Sequence, residues 1–220
     1  MFRAVGRPEW WDPTTGEIRS LPQWEKRGSS TRIPLKLPPL GSGFIVFRPL
    51  ASSVGSKSTD ANFPVRTSVA ELQGPWNVVF APKLGGPGEI RFERLQDWRE
   101  RSEERIRHYS GKAVYRTTFD GNSARALSLG IVRNIASVRV NGREIGTAWC
   151  APWEVSIPVG TLRAKANRLE ITVANLWVNR LIGDAGKPLE DRVASTTWSP
   201  YRADSPLQPS GLLGPVRLMR

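Results

Sequence analysis

Ser137-Val138-Arg139-Val140-Asn141-Gly142-Arg143-Glu144-Ile145-Gly146-Thr147-Ala148 reads as two short strands joined by a two-residue turn. Asn-Gly is the pair that most readily takes the positive φ angles a tight hairpin needs, so strands are expected over Ser137–Val140 and Glu144–Ala148. The pattern extends in both directions. Upstream, Lys112–Phe119 alternates, with Ala113, Tyr115, Thr117 and Phe119 on one face and Lys112, Val114, Arg116 and Thr118 on the other. Downstream, Arg168–Ala174 turns Leu169, Ile171 and Val173 inward and Arg168, Glu170 and Thr172 outward. Trp76–Phe80, Glu89–Leu95, Ala126–Val132, Trp153–Val159 and Pro215–Met219 complete the series, with Gly85-Gly86-Pro87-Gly88 as a turn between the first two. No convincing helical period interrupts these strands, so the expected fold is all-β, a two-sheet sandwich of jelly-roll type.

Beyond this core the reading thins. Asp97–Arg107 balances four acids against four arginines and reads as a solvated connection with a helical turn or two. Trp177–Gly214 shows no clear element, but its Trp177, Trp198 and Tyr201 argue for an ordered, functional loop rather than disorder. Residues 1–50 look like the tail of a preceding β domain: Asp12-Pro13-Thr14-Thr15-Gly16 turns between two extended pieces, and Ile33–Leu37 and Gly43–Phe47 are strand candidates. So few strands do not make an independent sheet, and this part is expected to need a partner. Residues 51–68, rich in Ser and other small residues, read as a linker, and 69–220 as the sandwich domain.

Composition narrows the chemistry. With 39% hydrophobic residues the 220-residue chain can bury a core, and 20 Gly and 18 Pro suit many turns. A single cysteine, Cys150, excludes an intrachain disulfide, and a single histidine, His108, makes a Cys–His dyad a remote reading. No Asp-rich loop marks a calcium site, and no metal or other cofactor is expected. The net charge of +12 raises nucleic acid as a partner, but no run of consecutive Lys or Arg appears, and a diffuse positive field is not a site. No apolar stretch is long enough to span a bilayer, so no membrane partner is expected. The N-terminus lacks a basic region followed by an apolar one, and the compartment stays open.

Several segments resemble a known family. Gly74-Pro75-Trp76 with Val78-Val79-Phe80, then His108–Phe119, Leu127-Ser128-Leu129-Gly130, Val138-Arg139-Val140-Asn141-Gly142, Asn175–Asp184 and Ser210–Val216 are similar to the C-terminal jelly roll of bacterial α-L-rhamnosidases of the TIM-barrel glycoside hydrolase type. The hairpin portion is shared with galactose-binding-like, sugar-binding domains more widely, and Trp11-Asp12-Pro13 with Gly16-Glu17 looks like the segment that follows the barrel. The resemblance implies a non-catalytic carbohydrate-binding or scaffold domain. The parent's catalytic carboxylates would lie in a barrel N-terminal to Met1, and a periplasmic or secreted parent is compatible with this. No carboxylate of this chain matches a catalytic motif, so no catalytic residue is carried over and no activity is expected of the chain alone. The partner is then a glycan, rhamnose-containing or related, or an adjacent catalytic barrel. A weak polyanion-binding module and a small self-sufficient hydrolase are the alternatives.

Sugar recognition needs aromatic platforms beside fixed planar donors and acceptors. Among the nine tryptophans, most of which are expected in the core and rims, Trp149, Trp153 and Trp177 fall in loop segments and are candidate platforms, with Trp198 and Tyr201 further on as binding or docking candidates. Asn179, Arg180 and Asp184 are the candidate polar partners. The competing reading is structural: Asn179 and Arg180 tie down backbone, Asp184 pairs with Arg180, and Trp153 starts a core strand. The same patch also suits docking of a neighbouring domain.

Overall fold

A computed structural model describes residues 1–49 and 58–220 of the chain, in two compact units, Met1–Arg66 and Thr67–Arg220. Of the expected linker over 51–68, residues 51–57 lie outside the described residues. Within the remainder, Asn62 is buried in the first unit, donating to the carbonyls of Gln23 (2.7 Å) and Pro34 (3.1 Å).

In the first unit, β1 (Arg7–Trp11), β2 (Ile18–Ser20), β3 (Glu25–Arg27), β4 (Ser30–Arg32) and β5 (Phe44–Arg48) form a three-stranded sheet, β2-β1-β5, and a β3-β4 hairpin. The β1–β2 turn is closed by the Asp12 carboxylate, which accepts from the backbone N–H of Thr14 at 2.7 Å, and by Gly16 at φ 74°. A small core of Trp10, Leu21, Trp24 and Ile33 is joined by Phe63, whose ring meets Trp10 edge-on at 5.3 Å. The expected strand over Ile33–Leu37 does not form. Pro34 and Pro38 remove backbone donors there, and the pairing ends at Arg32.

The second unit is an all-β sandwich. Its strands are β6 (Ser68–Glu71), β7 (Trp76–Phe80), β8 (Glu89–Phe92), β9 (Lys112–Phe119), β10 (Ala126–Ser128), β11 (Ile131–Arg133), β12 (Ile135–Val140), β13 (Arg143–Ala148), β14 (Glu154–Ser156), β15 (Asn167–Ala174), β16 (Gly211–Gly214) and β17 (Arg217–Met219). One layer is antiparallel and six-stranded, β13-β12-β15-β9-β7-β8. The other is four-stranded, β14-β10-β17-β6, with a β11-β16 pair beside it. Val78, Phe80, Ala113, Tyr115, Val138, Leu169, Ile171 and Val173 of the first layer share one core with Leu127, Val155 and Leu218 of the second and Leu212 of the β11-β16 pair. The alternation read in β9 and β15 is the alternation observed.

The hairpin at Asn141-Gly142 closes with φ 53° and 82° at its two central residues, the left-handed pair of a type I′ turn. Val140 pairs with Arg143, and a bulge follows between Val138 and Arg139. Ala126–Val132 departs from the expected single strand: it breaks around Gly130, where an added Cβ would lie 2.2 Å from the Gly214 carbonyl oxygen. Two short helices also appear, α1 (Glu104–Arg107) in the charged connection and α2 (Val178–Asp184) in the segment that showed no element. Trp98 fills the core and donates its indole N–H to the Tyr115 hydroxyl at 2.6 Å.

Candidate functional site

Two surfaces of the sandwich unit present groups that can meet a partner. The first lies at the sheet end where β13 and β15 finish. Ala148 pairs with Ala136 and Ala174 with Ile135, so Trp149 and the run Asn175-Leu176-Trp177 leave the same end of the six-stranded layer. Trp149, Trp177 and Trp198 are 53%, 52% and 76% exposed, and Leu176 and Ile135 are exposed beside the first two in register. Trp153 behaves differently: it is partly buried against the core, at φ 45°. Of the nine tryptophans, Trp149, Trp177 and Trp198 are the ones more than half exposed.

The polar candidates in α2 are buried and engaged by the chain itself. Asn179 donates to the Gln208 carbonyl (2.8 Å) and the Ser210 hydroxyl (3.0 Å) and accepts from the Gln208 N–H (2.7 Å), which fastens the 208–210 strand entry to the helix. Arg180 and Asp184, one helical turn apart, form an ion pair of 2.9 Å. The second Asp184 oxygen accepts from the backbone N–H of Val193 and of Ala194, each at 3.0 Å. Burial raises the Asp184 carboxyl, but the Ala194 N–H, Lys187 and Arg180 outweigh it and hold it below the ordinary carboxylate range. Asp184 and Tyr201 do meet in the lining of one small cavity of about 230 Å³, together with Arg192. The helix is therefore a clasp for the loop that follows it, with its aromatic neighbours exposed around it.

The second surface is the outer face of the six-stranded layer, where a broad groove of about 980 Å³ is lined by Arg91, Arg116, Arg139, Arg163, Arg168 and a single carboxylate, Glu170. Strand register generates it. Arg91 pairs with Asn77, Asn77 with Arg116, Arg116 with Glu170 and Glu170 with Arg139, so five outward residues on five adjacent strands form one row. Arg116 reaches Glu170 at 2.9 Å and Arg91 reaches Glu93 at 2.7 Å. Arg139, Arg163 and Arg168 have no carboxylate partner among the described residues.

The end of this groove is built rather than loose. Asn167 is wholly buried; it accepts from the Arg163 N–H and donates to the Arg163 carbonyl, both at 2.8 Å. Asn141 accepts from the Arg168 N–H at 3.0 Å and donates to Asn167 at 2.9 Å. Two asparagines thus fix the backbone from which Arg163 and Arg168 project. The sequence reading placed Arg116, Arg168 and Glu170 outward but did not gather them. The signal was the outward phase of each strand, and only the register aligns those phases.

His108, the single histidine, packs against α2, where a Cβ on Gly183 would lie 2.6 Å from its own Cβ. Burial first, then the charges of Arg107 and Arg180, lower its pKa. Cys150 is a free, half-buried thiol. No group of three or more His, Cys, Asp or Glu side chains is arranged to hold a metal among the described residues.

No protein-family model matches the chain. A solved rhamnosidase from Novosphingobium sp. PP1Y is 37% identical, with a TM-score of 0.89, over 99% of this chain and 21% of that one. A curated protein of Formosa agariphila that carries the name beta-glucuronidase is 33% identical in an alignment of 177 residues, covering 67% of this chain and 15% of its own length. The chain therefore spans about one fifth or less of the proteins it matches.

Proposed function

Because the chain is a glycoside-hydrolase-related domain, we propose that it is a non-catalytic carbohydrate-binding and scaffold domain of an α-L-rhamnosidase-like hydrolase, with a galactose-binding-like jelly roll. The observation that carries this reading is the match over 99% of the chain to one fifth of a rhamnosidase at 37% identity. Hydrolysis of a glycosidic bond takes two carboxylates across the scissile bond, about 5–5.5 Å apart for retention or about 6.5–9.5 Å for inversion. Each groove holds a single carboxylate: Glu170 in the larger, tied to Arg116, and Asp184 in the smaller, tied to Arg180 and the Val193–Ala194 backbone. Catalysis is assigned to the part of the parent that this chain does not match.

The scaffold role rests on the tryptophan-bearing end. Trp149, Leu176 and Trp177 are large, exposed and leave one end of the sheet, as an aromatic-rich interface requires, while Asn179, Arg180 and Asp184 hold the loop that follows, which carries Trp198 and Tyr201. Trp177, with Trp149, then packs against the catalytic barrel, and Trp198 and Tyr201 edge that contact.

The test is a chimera of the Novosphingobium rhamnosidase in which this chain replaces the matching fifth. The expected result is a soluble enzyme that hydrolyses 4-nitrophenyl α-L-rhamnoside, and a Trp149→Ser/Trp177→Ser chimera that loses solubility or most of that activity. The isolated chain is expected to release no nitrophenol above a buffer blank from the rhamnoside or from the β-glucuronide. Turnover by the isolated chain would overturn the reading.

A further inference from the structure

We propose that the arginine-lined outer face of the six-stranded layer binds an acidic glycan, an extended polysaccharide whose rings carry carboxylates. The inference deepens the carbohydrate-binding half of the proposed function and rests on it, but moves recognition from the end loops to the sheet.

The row Arg91–Asn77–Arg116–Glu170–Arg139 crosses five strands spaced about 4.8 Å apart, so an arginine recurs at every second strand, about 10 Å from the last. One strand spacing is close to the advance per ring of an extended glycan chain, so the row meets a charged substituent on alternate rings. The guanidinium fork matches a carboxylate in two parallel hydrogen bonds, which a lysine does not. Arg139, Arg163 and Arg168 are exposed and without a carboxylate partner, and the backbones of Arg163 and Arg168 are held by Asn167 and Asn141 before any ligand arrives. The two arginines that do have partners, Arg91 and Arg116, lie in exposed pairs that hold them weakly.

The same face argues against a nucleic acid. Single strands are held by stacking bases on aromatic side chains, and no aromatic side chain lines this groove. Glu170, between Arg116 and Arg139 in the row, opposes any anionic group set directly over it but accepts hydrogen bonds from the hydroxyls that a glycan ring offers and a DNA backbone lacks. Asn77 adds an exposed donor and acceptor beside it. A surface of arginines interleaved with one carboxylate and one amide fits a polymer that carries both carboxylates and hydroxyls.

The experiment is calorimetric titration of the full chain with polygalacturonate oligomers, with the same oligomers methyl-esterified, and with single-stranded DNA of matched charge. The expected result is that the free acid binds, that the ester binds at least tenfold more weakly, and that added salt weakens the acid. Arg139→Ala and Arg168→Ala should each weaken the free acid about tenfold without moving the thermal midpoint, and Trp177→Ala should leave it unchanged. Equal binding of ester and acid, indifference to both arginine substitutions, or tighter binding of the DNA through the same arginines would overturn the proposal. Failure here with a working chimera removes only the groove. Hydrolysis by the isolated chain removes the scaffold reading and leaves the groove standing.

Discussion

At the α2 end of the six-stranded layer, Arg180 and Asp184 face each other at 2.9 Å in near-complete burial, whereas over the outer face of the same layer Arg139 and Arg168 stand exposed and form no ion pair among the described residues. The two regions draw on the same residue types, and their positions in the fold assign them opposite work. A charge buried in a clasp must be paired, because an unpaired one is costly to desolvate, and the pair then serves the chain rather than a ligand. A charge on a solvated sheet face carries no such obligation. Exposed and uncompensated, it remains available.

The largest effect is expected where the clasp is opened. Asp184→Ala leaves the Arg180 guanidinium buried at 5% exposure without its partner, together with two loop N–H groups that lose their acceptor. The expected cost is about 3–5 kcal/mol, read as a lower urea midpoint with an unchanged slope. A loss within about 0.5 kcal/mol, the range of an ordinary surface substitution, would mean that water already reaches the pair and that the two regions do not differ in kind. Asn179→Ala comes next. It strips the Gln208 N–H of its acceptor and Ser210 of a donor in a buried setting, for about 1–3 kcal/mol, and hydrogen exchange should speed up at Gln208 ahead of the central strands.

How far each region was legible in the sequence follows the same division. The sandwich was readable because period-two alternation in Lys112–Phe119 and Arg168–Ala174 and the Asn141-Gly142 turn are local signals that burial on one face enforces. The break at Gly130 was not, because its cause is the Gly214 carbonyl, far along the chain. Helix α2 was missed because seven residues carry too few turns for a period, and its stability comes from Ser110, Gln208 and Ser210 across the fold. Of the candidate residues, Trp149, Trp177 and Trp198 are exposed, while Asn179, Arg180 and Asp184 are buried and bonded within the chain. The groove was illegible for a different reason: each of its arginines looks like an ordinary outward residue, and the row exists only once register sets five strands side by side.

A smaller effect separates the regions by pH. Because burial and the neighbouring charges of Arg107 and Arg180 lower the His108 pKa in the fold, the unfolded chain takes up that proton first as pH falls. Stability is therefore flat above the ordinary histidine value of 6.5 and declines as pH drops from there toward the lower folded value. His108→Gln should flatten that decline. Asp184 acts lower: its contribution is full above the ordinary value of 3.8 and is lost as pH falls through its depressed folded pKa. A midpoint that stays level between pH 7 and 5 in the unaltered chain would place His108 in solvent, away from Gly183 of α2.

The smallest stability effect is expected in the groove, and its smallness is informative. Arg139 lies outward on β12 between Glu170 and Glu144 in register, with its guanidinium bonded to neither. Arg139→Ala therefore removes no ion pair and opens no cavity, and the unfolding free energy should shift by no more than about 0.5 kcal/mol. The fold does not need Arg139, Arg163 and Arg168 to stand without ion-pair partners, and the repulsion among them works against the compact state. If Arg139→Ala leaves the thermal midpoint in place while weakening the carboxylated glycan, the arginine is kept for its ligand and not for the fold. If it lowers the midpoint by several degrees, Arg139 belongs with Arg180 among the residues that hold the chain together, and the contrast between the two regions fails.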